Sequence, residues 1–445
     1  MRHFLTIKTG TIPKINSVYE AFKTYARETK NEADNDDTHI EKIVSTIKDY
    51  SGYFCAMALG KEPDPDLKRA FHDLQELKAD VVYPFTLELY HDYASKILSK
   101  EDFITIVRWI ESYVFRRAVC AIPTNSMNKT FATFIKSVNK DHYLESAAAQ
   151  FLLLPSYRRF PSDDEFEQDI QTRDLYNFRS RSYWLRKFEN FERKELVPVN
   201  EYTIEHIMPQ NENLNIEWQQ ALGENWEHVH MTLLHTLGNL TLTGYNSEYS
   251  DRPFNEKRDM VGGFKDSPLR LNQGLGKVEN WNETEIHLRA EKLAKQAITV
   301  WKSPKLDDSI LKTYISKPEA QSSYTINDHP FLQNSVVSPL FNAFRKEVLA
   351  LDPCVSEVFL KLYVAYKAET NFADIIPQAE RLIITLNMKY SEITDPKGLC
   401  KDVSNLGRWG NGDVEVFLSS LDELPYVIGL VRQSLEKQLG ENINI

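Results

Sequence analysis

Between residues 205 and 258 the chain carries, in order, the dipeptide Glu205-His206, Asn239 within LGNLTL, Asn246 within TGYNSEYS, and Lys257-Arg258 within FNEKRD. A carboxylate and a side-chain amide offer hard oxygen ligands of the kind Mg²⁺ or Mn²⁺ takes, and a neutral imidazole beside them can accept a proton from water near neutral pH. That combination hydrolyses phosphodiesters. The cation would stabilise charge at the phosphoryl and leaving 3′ oxygens, His206 would activate the attacking water, and an amide side chain would fix the orientation of the imidazole. The segment 201–250 holds seven acids and no Lys or Arg, together with four of the eleven histidines. His228, His230 and His235 have no cysteine nearby and no zinc-like spacing, so they read as core or surface residues.

Short elements must position these groups. TIEHIMP reads as a strand, residues 214–234 as a helical insertion and TLGNLTLT as a second strand, with a helix to follow. Residues 171–198 read as one long helix carrying Arg173, Arg179, Arg181, Arg186, Lys187, Arg193 and Lys194, ended by Val197-Pro198-Val199. Its charge serves either a solvated face or a phosphate track. Residues 1–130 are mostly helical; the clearest case is EDFITIVRWIESYVFRRAVCAI, where Phe103, Val107, Ile110, Val114 and Ala118 follow three- and four-residue steps. Arg116 and Arg117 in that run are expected to pair with carboxylates. KNEADNDDT at 30–38 and KEPDPDLK at 61–68 read as loops. Residues 303–335 are polar and Pro-dotted, a linker by composition, and 336–445 mix a helix (SPLFNAFRKEVLAL) with alternating runs (RLIITLNM, DVEVFL). GRWGNGD lacks the Lys-Ser/Thr of a phosphate loop, and Asn411-Gly412 predicts a hairpin turn. Glu357, Asp374, Glu415 and Lys367 are too loosely spaced for a second metal core.

The whole sequence bounds these readings. Its 445 residues are long enough for two to four domains, and 42% apolar with 26% charged residues is globular composition that excludes a mainly disordered chain. No apolar run approaches the roughly 20 residues of a membrane span, and the N-terminus lacks a signal peptide's apolar core. Cys55, Cys120, Cys354 and Cys400 form no CxxC pair and predict reduced thiols in a cytoplasmic protein. The net charge of −11 is adverse to nucleic acid, but it is unevenly spread. Residues 201–250 carry −7, and 351–445 have nine bases against fourteen acids. Residues 171–200 hold seven bases against four acids, and 252–270 five against three. A local phosphate track is therefore compatible with an acidic chain.

TIEHIMPQ followed by LGNLTLT, a later Asn and F-x-x-K-R resembles the His-Me finger (HNH) nuclease domain of GmrSD-type restriction proteins. Upstream, ESYVFRRAVCAIPTNSMNKTFA and YWLRKFENFERKE resemble the helical segments preceding that nuclease. SEVFLKLYVAYK, NFADI, DPKGL and SNLGRWGNGDVEVFL are similar to an uncharacterised domain often appended to it. The resemblance implies a multidomain α+β protein: a helical region over 1–130, a nuclease domain over 131–302 with a ββα-metal core near 200–260, a linker over 303–335, and an α+β accessory domain over 336–445. It makes Glu205 and Asn246 the ligands of Mg²⁺ or Mn²⁺, His206 the general base, Asn239 the brace of the catalytic loop, and Lys257 and Arg258 phosphate contacts. Arg186 and Lys187 join these as candidate DNA contacts. Many HNH sites carry Asp before the base and His as last ligand; Glu205 and Asn246 depart from that.

Complete members of this family usually begin with a ParB-like nucleotide-binding sensor domain, whereas RHFLTIKTGTIPKINSVYEAFK resembles the text just after it. The expected partners are DNA and a ParB-like domain or subunit, with no membrane; an oligomer is compatible. The expected function is a metal-dependent DNA endonuclease that serves restriction or phage defence and leaves 5′-phosphate and 3′-hydroxyl ends. The alternative is a non-catalytic DNA- or partner-binding regulatory module with a decayed nuclease site, and RNA is a third substrate reading.

Overall fold

The computed structural model describes residues 1–30, 35–122, 124, 126–155, 158–315, 324–352, 355–368, 370–405 and 412–439. The chain divides into one unit of residues 1–122, 129–152 and 160–306, and another of 123–128, 153–159 and 307–445. Cys354 and residues 406–411, with the first half of the expected Asn411-Gly412 turn, lie outside the described residues.

The first unit is helical up to residue 202. Its helix Lys100–Val119 starts where the Ser99 hydroxyl accepts from the Asp102 amide at 3.0 Å, and Glu101 and Asp102 meet the positive end of the helix dipole. Phe103, Val107, Ile110 and Val114 are buried, as the spacing predicts. KEPDPDLK is not all loop: the helix Pro65–Glu76 begins within it. Asp64 accepts from the amides of Asp66 and Leu67, and proline suits the first helical position.

Arg116 ties three elements together. Its fully buried guanidinium donates to the Trp301 carbonyl from Nε at 2.8 Å and from an η nitrogen at 2.6 Å, and pairs with Asp163 at 2.8 Å. This joins Lys100–Val119 to the start of the helix Asp163–Thr172 and the end of the helix Glu283–Val300, beside a Phe115–Trp301 ring stack at 4.2 Å. The buried aromatic cluster continues through Phe166, Tyr183, Trp184 and Phe188.

The expected single helix over 171–198 is two helices, Asp163–Thr172 and Arg181–Asn190. The break at 173–180 has a local cause. The Asp174 carboxylate accepts from the Asn177 backbone and amide at 2.9 and 2.8 Å, making an Asx-type turn, and the Leu175 amide donates to the His235 carbonyl at 2.9 Å instead of to a helical partner.

Among the described residues the sheet of this unit is an antiparallel pair, β1 (Thr203–His206) and β2 (Leu240–Thr243), with Glu205 opposite Thr241 and His206 opposite Leu240. The connection between them forms the helices Ile216–Leu222 and Trp226–Leu233, the expected insertion. Two short helices follow, Asn246–Tyr249 and Phe254–Asp259.

In the second unit six antiparallel strands lie in the order β3-β4-β5-β6-β8-β7: β3 (Ser356–Phe359), β4 (Val364–Lys367), β5 (Asn371–Pro377), β6 (Leu382–Leu386), β7 (Lys401–Asp402) and β8 (Val414–Leu418). Alternate residues, among them Val364, Tyr366, Ile375, Ile384, Leu386, Val414 and Val416, form one core with the helices Val337–Leu349 and Leu424–Leu439. Gly412 enters β8 at φ +113°, where a Cβ would collide with the Leu386 carbonyl. The whole is α+β, as the sequence predicts.

Candidate functional site

Successive side chains of a strand point to opposite faces, and β1 uses this to separate Glu205 from His206. Glu205 meets the helix Phe254–Asp259. Its Oε1 accepts from Lys257 Nζ at 2.6 Å, and the same ammonium donates to the carbonyls of His206 and Ile207, each at 3.2 Å. Lys257 has no solvent exposure and Glu205 has 4%. Burial is the larger influence on both groups and outweighs their attraction: Glu205 is pushed up to about 7 and Lys257 is held below the ordinary lysine range. Asn246 also reaches β1, its amide nitrogen donating to the Ile204 carbonyl at 2.8 Å. That hydrogen bond leaves the amide oxygen as an acceptor.

His206 faces the other way, into a cluster of rings. Its Nδ1 lies 2.7 Å from Gln210 Nε2 and its Nε2 lies 3.0 Å from His235 Nδ1. Tyr176, from the turn that breaks the basic helix, presents its edge to His206 at 4.5 Å and stacks on His235 at 5.0 Å and 12°. Burial, then the nearby His235 and Lys257, lowers the His206 pKa to about 3. The imidazole is therefore neutral at physiological pH.

Asn239 pins the segment after His206. Oδ1 accepts from the Met208 amide at 2.7 Å and from the Trp281 indole at 3.2 Å, while Nδ2 donates to the carbonyls of Met208 and Leu234 at 3.1 and 3.0 Å. All four of its hydrogen-bonding positions are thus used, and the side chain is fully buried. Preceding Gly238 admits the helix Glu283–Val300, since a Cβ there would collide with the Ile286 carbonyl. From that helix Arg289 donates to the carbonyls of Leu237, Gly238, Leu240 and Leu271 at 2.7 to 3.2 Å. The turn carrying Asn239 is therefore held from both sides.

The expected phosphate contacts are each engaged with other groups of the protein. Lys257 is buried against Glu205. Arg258 pairs with Asp259 at 2.5 Å and donates to the Val278 carbonyl at 2.8 Å. Arg186 bonds Asp73 and Glu76, and Lys187 bonds Asp73 at 3.0 Å and Glu111 at 2.9 Å. A phosphate role at any of these requires the side chain to leave its carboxylate or carbonyl. The structure brings Glu205 and Lys257 together on one side of β1, with His206 on the other, ties Asn246 to the Ile204 carbonyl of the same strand, and keeps Arg186 and Lys187 paired with Asp73, Glu76 and Glu111 of the helical region.

Sequence reasoning missed Gln210, Tyr176, Trp281 and Arg289. It saw His235 but gave it a bland role. His230 fits that role: it is buried, with Nε2 2.9 Å from the Pro209 carbonyl. Nothing in the interval between Arg289 and the turn at 237–240 announces their contact.

A buried Glu-His pair on a braced two-stranded sheet, followed by short helices, defines an α+β unit with a carboxylate and an imidazole at one strand end. Residues 160–296 match the family model of the C-terminal domain of GmrSD restriction endonucleases, and 328–437 match a domain of unknown function, DUF5655. The chain thus carries a stretch similar to the C-terminal domain of GmrSD restriction endonucleases ahead of one similar to DUF5655. An uncharacterized protein of Haemophilus influenzae is 33% identical over 183 residues, covering 41% of this chain and 58% of that protein. No solved structure matches this chain. Among the described residues no helix is long and apolar enough to cross a membrane.

Proposed function

We propose that this chain is a metal-dependent DNA endonuclease of the HNH class, the effector of a restriction or phage-defence system. The observation that carries the reading is the Glu205-His206 pair at the end of β1, followed by a segment pinned through all four hydrogen-bonding positions of Asn239. It lies within the stretch that matches the GmrSD model.

Glu205 and Asn246 offer oxygen donors of the kind a hard divalent cation takes, with Lys257 the group that a cation at Glu205 would displace. Glu205 and Asn246 would hold it through oxygen, and Mg²⁺ or Mn²⁺ bound there supplies charge stabilisation at the phosphoryl and leaving oxygens. His206, neutral and oriented, takes the proton of a water whose oxygen bonds to phosphorus. The P–O3′ bond breaks, its electron pair goes to O3′, and solvent protonates that oxygen to leave 3′-hydroxyl and 5′-phosphate ends. One such site cuts one strand, so a double-strand break calls for a second site or a second event. A ParB-like partner domain or subunit would supply recognition of modified DNA.

The test is plasmid cleavage with Mg²⁺ or Mn²⁺. His206→Ala is expected to abolish cutting with the fold intact, and equal activity in the variant would sink the mechanism. Labelled RNA in parallel decides the substrate class. Lys257 bound to Glu205 favours one second reading, a DNA- or partner-binding module with a silent nuclease site. Calorimetry separates the two: cation binding dependent on Glu205 and Asn246 supports the enzyme, whereas DNA binding without it supports the module.

A further inference from the structure

We infer that His235 is the positioning residue for His206, fixing its tautomer so that Nδ1 is the atom that receives the proton; this rests on the nuclease reading above. An amide nitrogen can only donate a hydrogen bond. Gln210 Nε2, 2.7 Å from His206 Nδ1, therefore makes Nδ1 the acceptor. The single proton of the neutral ring then sits on Nε2, where His235 Nδ1 receives it at 3.0 Å. His235 in turn carries its own proton on Nε2.

The partner is itself fixed. Its ring stacks on Tyr176, which also meets the Arg181 guanidinium 4.8 Å from its ring centre, and its carbonyl accepts from the Leu175 amide. Tyr176 also abuts His206 edge-on, so the two imidazoles and the phenol form one rigid group. On the opposite side Gln210 is an exposed side chain, free to exchange its amide for a water. A base needs a lone pair aimed at the water and a donor–acceptor partner behind the ring. Gln210 sets Nδ1 as acceptor in the resting arrangement, the water that replaces it donates to the same atom, and His235 stays in place as the acceptor of Nε2–H. Without His235 the Nε2–H loses its acceptor, and the alternative tautomer, which cannot accept at Nδ1, becomes populated.

The experiment uses the full chain with His235→Ala, His235→Gln and, as control, His206→Ala. Substitution of an outer partner of this kind typically costs about 10- to 100-fold in activity. His235→Ala is expected to lose that much in kcat with KM unchanged, and His235→Gln, whose side-chain oxygen can accept from Nε2–H, to recover most of it. Histidine ¹⁵N spectra, with His206 assigned from the signals missing in His206→Ala, give a readout independent of cleavage. The wild type should show the Nε2–H tautomer, and His235→Ala a mixture. Wild-type kcat in His235→Ala, with His206→Ala inactive, overturns the positioning role and leaves the nuclease reading standing. If wild type fails to cut, or His206→Ala cuts equally well, the nuclease reading falls. The spectra then decide alone: an Nδ1–H tautomer in the wild type, or one unchanged in His235→Ala, overturns the inference. Should His235→Ala unfold, His235→Gln carries the same test, with retained activity and retained Nε2–H tautomer as the supporting outcome and the loss of both as the overturning one.

Discussion

Lys257 places its ammonium 2.6 Å from Oε1 of Glu205, and neither side chain reaches solvent beyond a few per cent. A positive charge already compensates the carboxylate expected to hold a divalent cation, and it also gathers two backbone carbonyls of the same turn.

Breaking this pair from one side leaves the other group buried without its partner, which costs about 3–5 kcal/mol where that group stays charged; Glu205, already pushed up to about 7, offsets part of this by taking up a proton. Lys257→Met is expected to lower the urea unfolding midpoint accordingly, and Glu205→Gln to do so by a similar amount. The double variant should lose less than the sum of the two, because both charges are gone. If Glu205 is a cation ligand, Mg²⁺ should restore stability to Lys257→Met and leave Glu205→Gln unaffected.

Asn239→Ala strips hydrogen bonds from the Met208 amide and carbonyl, the Leu234 carbonyl and the Trp281 indole. Leaving a buried polar group unsatisfied costs about 1–3 kcal/mol. Water entering the cavity recovers part of this, so a loss of about 3 kcal/mol in chemical unfolding is expected. Intrinsic Trp fluorescence should shift as Trp281 loses its acceptor. An unchanged midpoint would show that the turn is held by Arg289 alone.

Asp73 gives a pH dependence whose sign is fixed by its neighbours. Burial pushes its carboxyl up, but Lys187, Arg108 and Arg186 together outweigh burial and hold it below the usual carboxylate range. A depressed folded-state value means that the unfolded chain binds the proton more readily. The stabilisation is therefore complete above the unfolded carboxylate pKa of about 4 and is lost as pH falls toward the folded value. Denaturant midpoints measured from pH 7 down to pH 3 should fall for the wild type. Asp73→Asn should start lower and fall less steeply over the same window.

That network also bears on what was legible in the sequence. The strands around Glu205-His206 and LGNLTL, and the helices between them, could be read because strand alternation and helix period are local signals. The destinations of Arg186 and Lys187 could not. A run of basic residues looks alike whether it faces phosphate or meets Asp73, Glu76 and Glu111 more than seventy residues away. Lys257 is the same case over 52 residues of chain. The break at 173–180 was hidden because Asp174 and Asn177 fit a helical pattern by spacing and act as a turn only through their side-chain hydrogen bonds. Glu205, His206, Asn239 and Asn246 were singled out through the ordered motif; the contact of His235 was not legible, since it is made with a ring 29 residues earlier.

Gln210 offers a final test of how the pocket opens. Its amide occupies His206 Nδ1 in the closed arrangement, yet the side chain is exposed and makes no other hydrogen bond among the described residues. A water can reach Nδ1 only after the amide leaves, so the Gln210 contact opposes the reactive arrangement by roughly the net worth of one hydrogen bond, about 0.5–1.5 kcal/mol. Gln210→Ala should keep wild-type stability within about 0.5 kcal/mol, as expected of a surface substitution. It should also raise the single-turnover cleavage rate about two- to tenfold, the factor that such a hydrogen bond converts to. Faster carbethoxylation of His206 by diethylpyrocarbonate would report the same opening without catalysis. A slower cleavage rate in Gln210→Ala would mean that the amide holds the attacking water and does not block it.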